Sequence, residues 1–446
     1  LKINLHKEYR IQLLKIAFPI IISNLISQVQ MLIDKMFLGR LDITRMSAVS
    51  NASSPMWTTM NVIFSLTVGG TILMSQAVGA GEKERAQKIM DSIFKYSSVI
   101  SLVLFLFWLF CPRYVFLAMG VPANVIEMSI DYARWYSPAF LITGYGAAVS
   151  SMLQVCERTG VMITYGIVRS LANVFLDWVM IFGNLGCPRM EVKGASLATA
   201  IADFIGIIIV IVYVQYGKGL YLKPKFADIL KAKFSFYLET IKMGLPAALE
   251  EFAWNFGSLY LIVMLNRISD SAAGIYSIVF SIELLPICAI GSIGNAALTV
   301  SGLETGRKNY RGVRDVAMVG IRLCIYVATV MLALFLTIPH QLMNLFTTDQ
   351  SVIAASVAYL AVVGVDLFPK SGNIVIGSSI KGYGDTRWML FTQIFGTMFI
   401  IAGSSLLVLG LHLGITQIFI LVVADEALRC IINYFHLRKV TRLENA

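Results

Sequence analysis

Charge and histidine are scarce in this sequence. Of its 446 residues only 14% are charged and 57% are apolar, with a mean hydropathy of +0.75, whereas a soluble domain carries about a quarter charged residues. A water-soluble fold is excluded. The four histidines (His6, His340, His412, His436) form no H-x-x-x-H pair and fall at expected helix ends or loops, so neither a metal-ligand set nor a clustered base is available and no enzyme is expected. The six cysteines (Cys111, Cys156, Cys187, Cys288, Cys324, Cys430) are scattered without C-x-x-C spacing, which argues against a disulfide framework and against structural zinc. Gly306-Arg307-Lys308 is only a fragment of a phosphate loop, and no G-x-x-x-x-G-K-S/T occurs, so ATP hydrolysis is unsupported. Short stretches of alternating polarity, the mark of a transmembrane barrel, are replaced by long apolar runs such as Ser97 to Phe110 and Ile201 to Val214. The start, Leu1 to Arg10, is polar and basic, and no cleaved signal peptide is expected.

What is present is enough apolar sequence for some twelve helical spans at about 20 residues each. Interruptions by charge, Pro and Gly place them near 13–39, 48–79, 92–117, 128–154, 161–185, 194–216, 238–266, 272–303, 315–339, 353–380, 388–411 and 415–437. The net charge of +10 forms no single patch, so nucleic acid is not an expected partner; the lipid bilayer is. Loops and adjoining span ends on the side of the N-terminus carry 22 Lys and Arg, those on the opposite side only six (Arg40, Arg45, Arg113, Arg189, Lys193, Arg267). By the positive-inside rule both termini are expected in the cytoplasm of a multi-pass protein of the cell membrane.

The chain also resembles itself. Lys15-x-x-x-Pro19 and Lys242-x-x-x-Pro246 open the first and seventh spans at an offset of 242 − 15 = 227, and the same offset maps Arg40 onto Arg267, Tyr132 onto Tyr359 and Thr159 onto Thr386. The fold class expected is therefore all-α and membranous, with twelve transmembrane helices in two six-helix bundles related by a pseudo-twofold axis along the membrane normal. The boundaries are 1–216 for the first lobe, 217–237 for a basic cytoplasmic linker and 238–446 for the second lobe. Two such bundles on a tether suit alternating access.

Five segments, MLIDKMFLGRL (31–41), SQAVGAGEKERAQ (75–87), ANVFLDWVMIFGNLG (172–186), VKGASLATAIA (192–202) and IKGYGDTR (380–387), resemble the multidrug and toxic compound extrusion (MATE) family and stand in that family's order. The resemblance spans nearly the whole chain. It implies a V-shaped pair of lobes and an antiporter that exports varied, often cationic, small organic compounds against inward Na⁺ or H⁺; the chain is expected to act as a monomer. No other cofactor is implied.

Asp34 lies in the first span, five residues before Gly39. A carboxylate there is costly unless it is protonated, paired or ion-bound; the plainer alternative pairs it with Lys35 or Arg40. Asn173 and Asp177 are spaced i, i+4 in the fifth span and share a helical face, where they could hold Na⁺ or a proton or simply join helices. The resemblance assigns Asp34, Asn173 and Asp177 to the cation site of the first lobe, where two carboxylates in a poorly hydrated pocket cannot both ionise cheaply. Pro19 permits the first helix to kink.

The second half carries Glu250, Glu251, Glu283, Asp366, Lys370, Asp425 and Glu426 in its spans. Asp366 and Lys370, at i, i+4, could neutralise one another. Some MATE members have an acid nine residues after the proline of the seventh helix and another in the tenth; here those positions are Asn255 and Lys370, so no second-lobe cation site is carried over. Glu250, Glu251, Asn255, Asp366 and Lys370 stand as candidates for substrate contact. Twenty Met and 50 aromatic residues supply adaptable, cation-attracting walls, although Met31, Met180, Trp254 and Tyr260 individually read as core or lipid-facing. A flippase for lipid-linked precursors is the alternative, and it requires a cationic cavity for pyrophosphate.

Overall fold

The computed structural model describes residues 2–39, 43–217, 219–269, 271–344 and 350–443, except the side chains of residues 2–5, 32, 35, 39, 43, 351 and 443. Arg40 and the side chain of Lys35 thus lie outside the described residues. The regular elements are helical throughout: α1 (Lys2–Gly39), α2 (Ile43–Gly79), α3 (Lys83–Phe110), α4 (Pro112–Ala118), α5 (Ala123–Tyr136), α6 (Phe140–Val155), α7 (Val161–Phe182), α8 (Val192–Tyr216), α9 (Phe226–Lys231), α10 (Phe234–Asn266), α11 (Ala272–Gly306), α12 (Tyr310–Thr337), α13 (Pro339–Asn344), α14 (Gln350–Tyr383), α15 (Thr386–Ser405) and α16 (Ile415–Leu443).

Each of the twelve expected spans coincides with helix, usually longer than the apolar stretch alone. Lys, Glu, Arg and Leu are good helix formers, so the helices continue past the membrane boundary where hydropathy stops. Nine helices among the described residues are individually long and apolar enough to cross a membrane. Beside them, α10 and α16 carry mid-helix charges, Glu250 and Glu251 in one and Asp425, Glu426 and Arg429 in the other. The fourth span is divided by a 3-10 turn at Ser137–Ala139, and the third ends at Cys111, where Pro112 opens α4 from its first position.

Contacts gather the chain into two compact units. One comprises residues 19–74 and 82–244; the other comprises 1–18, 75–81 and 245–446. In the first, α3 packs on α6 and α8 packs on both α7 and α5, around a core that includes Met56, Met60, Trp108, Phe116 and Phe140. The basic segment after α8, expected to be a linker, is held down within this unit. Gln87 donates to the Lys223 carbonyl (2.8 Å), and Lys95 Nζ donates to the carbonyls of Leu230 (2.8 Å) and Ala232 (3.1 Å), capping the C-terminus of α9. In the second unit α14 is central, packed against α11, α12 and α16.

Apolar tails of lipid give helices little hydrophobic reason to associate, so close approach relies on small residues. In the second unit the end of α2 crosses the end of α11 backbone to backbone. A Cβ on Gly79 would land on the carbonyl of Leu303, one on Gly306 on the carbonyl of Gln76, and one on Gly302 on Ser75. The crossing obeys the repeat: 79 + 227 = 306, 76 + 227 = 303 and 75 + 227 = 302. Gln76 also donates to the Gly382 and Tyr383 carbonyls at 3.0 and 3.2 Å, satisfying acceptors at the end of α14 that the helix itself leaves open.

Candidate functional site

The polar centre of the first unit is built by three helices, each contributing residues at i, i+4 spacing and so from one face. From α1 come Gln30 and Asp34; from α7, Arg169, Ser170, Asn173 and Asp177; from α8, Thr199 and Asp203. Gly166 lets α1 approach α7, since a Cβ there would sit 2.7 Å from Ser23 Oγ. Gln30 organises the centre. Its amide nitrogen donates to Asn173 Oδ1 (2.6 Å) and, more weakly, to Asp34 Oδ2 (3.4 Å), while its oxygen accepts from Arg169 (2.9 Å) and Ser170 (3.0 Å). Asn173 Nδ2 donates onward to Thr199 Oγ1 at 3.1 Å, and Arg169 is ion-paired with Asp203.

The carboxyl groups of Asp34 and Asp177 are neighbours. Asp177 is 1% exposed and Asn173 is fully buried. One oxygen of each acid, Asp34 Oδ1 and Asp177 Oδ1, is buried without a hydrogen-bond partner among the described residues. Buried carboxylate oxygens without a donor are expensive. A single proton between them satisfies both, and a small cation with its hard-oxygen preference does the same. No group of three or more His, Cys, Asp or Glu able to hold a metal gathers among the described residues; the oxygen set here is two carboxylates and an amide.

The three residues expected at this site are thus brought together. Sequence reasoning passed over Gln30, Arg169, Thr199 and Asp203. Their signal was available: Gln30 precedes Asp34 by one turn, and Arg169 precedes Asn173 by one turn.

In the second unit a cavity of about 760 Å³ is lined by all five residues expected to contact substrate, Glu250, Glu251, Asn255, Asp366 and Lys370. Lys370 bonds Asp366 (2.6 Å) and also Glu283. On α16, Arg429 pairs with Asp425 (2.7 Å) and Glu426 (3.0 Å). Glu250 pairs with Lys381 at 3.3 Å, and the Asn255 side chain turns back to the Glu251 carbonyl at 2.8 Å. In all, six carboxylates (Glu250, Glu251, Glu283, Asp366, Asp425, Glu426) and three cations (Lys370, Lys381, Arg429) line the cavity. Trp254, read from sequence as core or lipid-facing, is on this wall instead, with Phe280, Tyr276 and Phe419. Their rings follow one another at 6.4, 6.2 and 5.4 Å, a surface on which organic cations can rest.

A duplicated helical membrane protein with two neighbouring buried acids in one unit and a roomy, acid-rich, aromatic cavity in the other has the build of a secondary transporter. Residues 19–179 and again 246–406 match the family model MatE, and the separation of the two matches, 246 − 19 = 227, is the internal repeat. The chain belongs to the MatE family. Relatives include a probable multidrug resistance protein NorM of Thermotoga maritima, 25% identical over 85% of this chain and 81% of that protein. The multidrug resistance protein NorM of Vibrio vulnificus is 22% identical over 91% and 89%. Among solved structures, the outward-facing conformation of a multidrug resistance MATE family transporter of the MOP superfamily matches with a TM-score of 0.90 over 99% of this chain and 98% of that one, at 18% identity. A MOP superfamily transporter from Pyrococcus furiosus, whose reversed pocket polarity suggests a different function, also matches at 0.90 over 98% and 97%, again at 18% identity. These likenesses show the fold; the sign of the pocket has to be read from each chain's own residues.

Proposed function

We propose that this chain is a cation-coupled exporter of small organic compounds, chiefly cations, working by alternating access in the cell membrane with both termini in the cytoplasm. The coupling ion, Na⁺ or H⁺, occupies the gap between Asp34 and Asp177, with Asn173 as the third oxygen donor and Gln30 holding the amide in register. The observation that carries the reading is the pair of partnerless carboxylate oxygens, Asp34 Oδ1 and Asp177 Oδ1. Loading the ion removes a buried repulsion, and releasing it restores that repulsion, so the ion's presence or absence biases the conformations of α1 and α7. Pro19 inside α1 leaves one backbone hydrogen bond unmade and gives that helix a place to bend. Substrate rests in the second-unit cavity, where carboxylates outnumber cations six to three. That excess disfavours the flippase reading, since a pyrophosphate needs the opposite sign. The chain works as a transporter, without a covalent step and without a resident cofactor.

The test is efflux of a cationic dye from vesicles containing the purified protein, under separately imposed Na⁺ and pH gradients. One gradient should drive efflux, and Asp34→Asn should abolish that drive. Efflux under neither gradient, or a variant indistinguishable from the parent, overturns the reading.

A further inference from the structure

The second-unit cavity holds its two deepest cations in different ways. Arg429 is locked: its guanidinium makes bonds of 2.7 and 3.0 Å to Asp425, 3.0 Å to Glu426 and 2.8 Å to Gln393 Oε1, a planar fork used on several sides. Lys370 is a point charge on a flexible four-carbon stem with three N–H donors. Both of its bonds go to carboxylates that line the cavity, Glu283 on α11 and Asp366 one turn earlier on α14. Glu426 lines the same cavity, with its carboxylate taken up by Arg429 (3.0 Å) and Asn373 (2.8 Å). Lys370 also follows Pro369 inside α14, where the backbone lacks a hydrogen bond.

Two further facts bear on this ammonium group. Asp366 is 2% exposed, and its Oδ1 has no hydrogen-bond partner among the described residues even with the lysine in place. The cluster holds four acids (Glu283, Asp366, Asp425, Glu426) against two bases (Lys370, Arg429), so it stays short of positive charge. A compact charge held between carboxylates of two helices at the wall of a roomy cavity is how a bound monovalent cation sits. Here that cation is covalently attached to the helix.

We propose that Lys370 is a tethered cation that occupies, from within, a monovalent-cation site made by Glu283 and Asp366. A free cation, whether Na⁺ or the ammonium group of an organic ligand, binds this cage only by displacing the lysine. Lys370 thereby keeps the second unit from taking up a coupling ion of its own, and it sets the threshold that a cationic ligand must exceed. The meaning of that threshold rests on the exporter reading; occupation of the cage by Lys370 does not.

The experiment is equilibrium binding of radiolabelled Na⁺ to the purified full chain without any organic substrate, in an Asp34→Asn background that silences the first-unit site. Adding Lys370→Met should create about one Na⁺ site per chain, at least about tenfold tighter than any in the Asp34→Asn parent, because one buried countercharge has gone. Lys370→Arg keeps the charge and should stay at the parent level. Where Lys370→Met elutes aggregated, Glu283→Gln with Lys370→Met restores the parent's net charge and should still gain Na⁺ binding, more weakly. Na⁺ binding equal to the parent in the folded Met variants overturns the proposal, as does a gain in Lys370→Arg equal to that in Lys370→Met. Failure here leaves the dye-efflux result standing, and failure of dye efflux leaves the Na⁺ binding interpretable.

Discussion

Replacing Asp177 by Asn should separate stability from function. In the parent, Asp34 Oδ1 and Asp177 Oδ1 are both buried with no donor among the described residues. An asparagine at 177 has nearly the same shape and puts an N–H donor where a carboxylate oxygen stood. A donor is thereby offered to the neighbouring Asp34, and the ion-free protein should become more stable by about 1–2 kcal/mol, part of the cost of an unsatisfied buried acceptor. The same change removes one of the two charges that attract the coupling ion. At about 4 Å and an effective dielectric near 20 that attraction is about 4 kcal/mol, or roughly a thousandfold in ion affinity. The assay has two arms: thermal unfolding of the purified variant in ion-free buffer, and dye efflux against a titration of the driving ion. Melting above the parent, with the ion requirement pushed beyond reach and dye affinity changed by less than about threefold, is the expected pattern, since the dye rests in the other unit. A variant that melts below the parent, or loses ion dependence and dye affinity equally, would falsify the assignment of Asp177 to the ion and leave it a structural tie between helices.

Two more outcomes follow from the geometry. In α11, Gly306→Ala drives a methyl onto the Gln76 backbone whereas Gly291→Ala meets nothing within 4 Å; the first should lower the melting temperature, at a cost of about 1–3 kcal/mol, and the second should hold or raise it by the Gly-to-Ala helix gain of up to about 1 kcal/mol. Asp385, at the half-buried start of α15, caps the Trp388 amide at 3.1 Å and bonds His436 Nε2 at 2.8 Å; the His436 bond is the main cause that holds its carboxyl below the ordinary value. A lowered carboxyl contributes stability that is complete above the unfolded value, about pH 4, and fades as pH falls toward the folded one. Asp385→Asn keeps an effective helix cap but loses that contribution, so its melting temperature should fall below the parent's at neutral pH, meet the parent's in acid and lose the acid-side slope; an unchanged slope below pH 4 would assign the acid sensitivity to other groups.

Charge in an apolar run is legible without coordinates, and for that reason Asp34, Asp177, Asp366 and Lys370 stand out in the sequence. The helices were legible as well, because the hydrophobic period and the 227-residue offset reinforce each other. Glu283 as a partner of Lys370 was not legible, since the two lie 87 residues apart and meet only through the packing of α11 on α14. Arg169 was hidden differently. A single arginine in a membrane helix reads as interfacial until its acid, Asp203, is seen on α8 and its amide contact, Gln30, on α1. Arg429 sits one turn after Asp425, and that spacing was available. The break at Cys111 and Pro112 was missed because apolar residues continue across it, so hydropathy saw one span where the backbone makes a stop and a restart.

The glycine crossing of α2 and α11 has a consequence of its own. Residue 75 meets residue 302, while 79 lies on 303 and 306 lies on 76, so each position touches its own counterpart or the reciprocal of its neighbour's contact. That is the isologous pattern a homodimer makes with itself about a two-fold axis. A half-length forerunner of this chain, associating as a symmetric pair, would have made this contact twice from one set of residues. After duplication the two surfaces became free to diverge in every respect but one: at positions 79 and 306, neither copy can acquire a side chain unless the other yields.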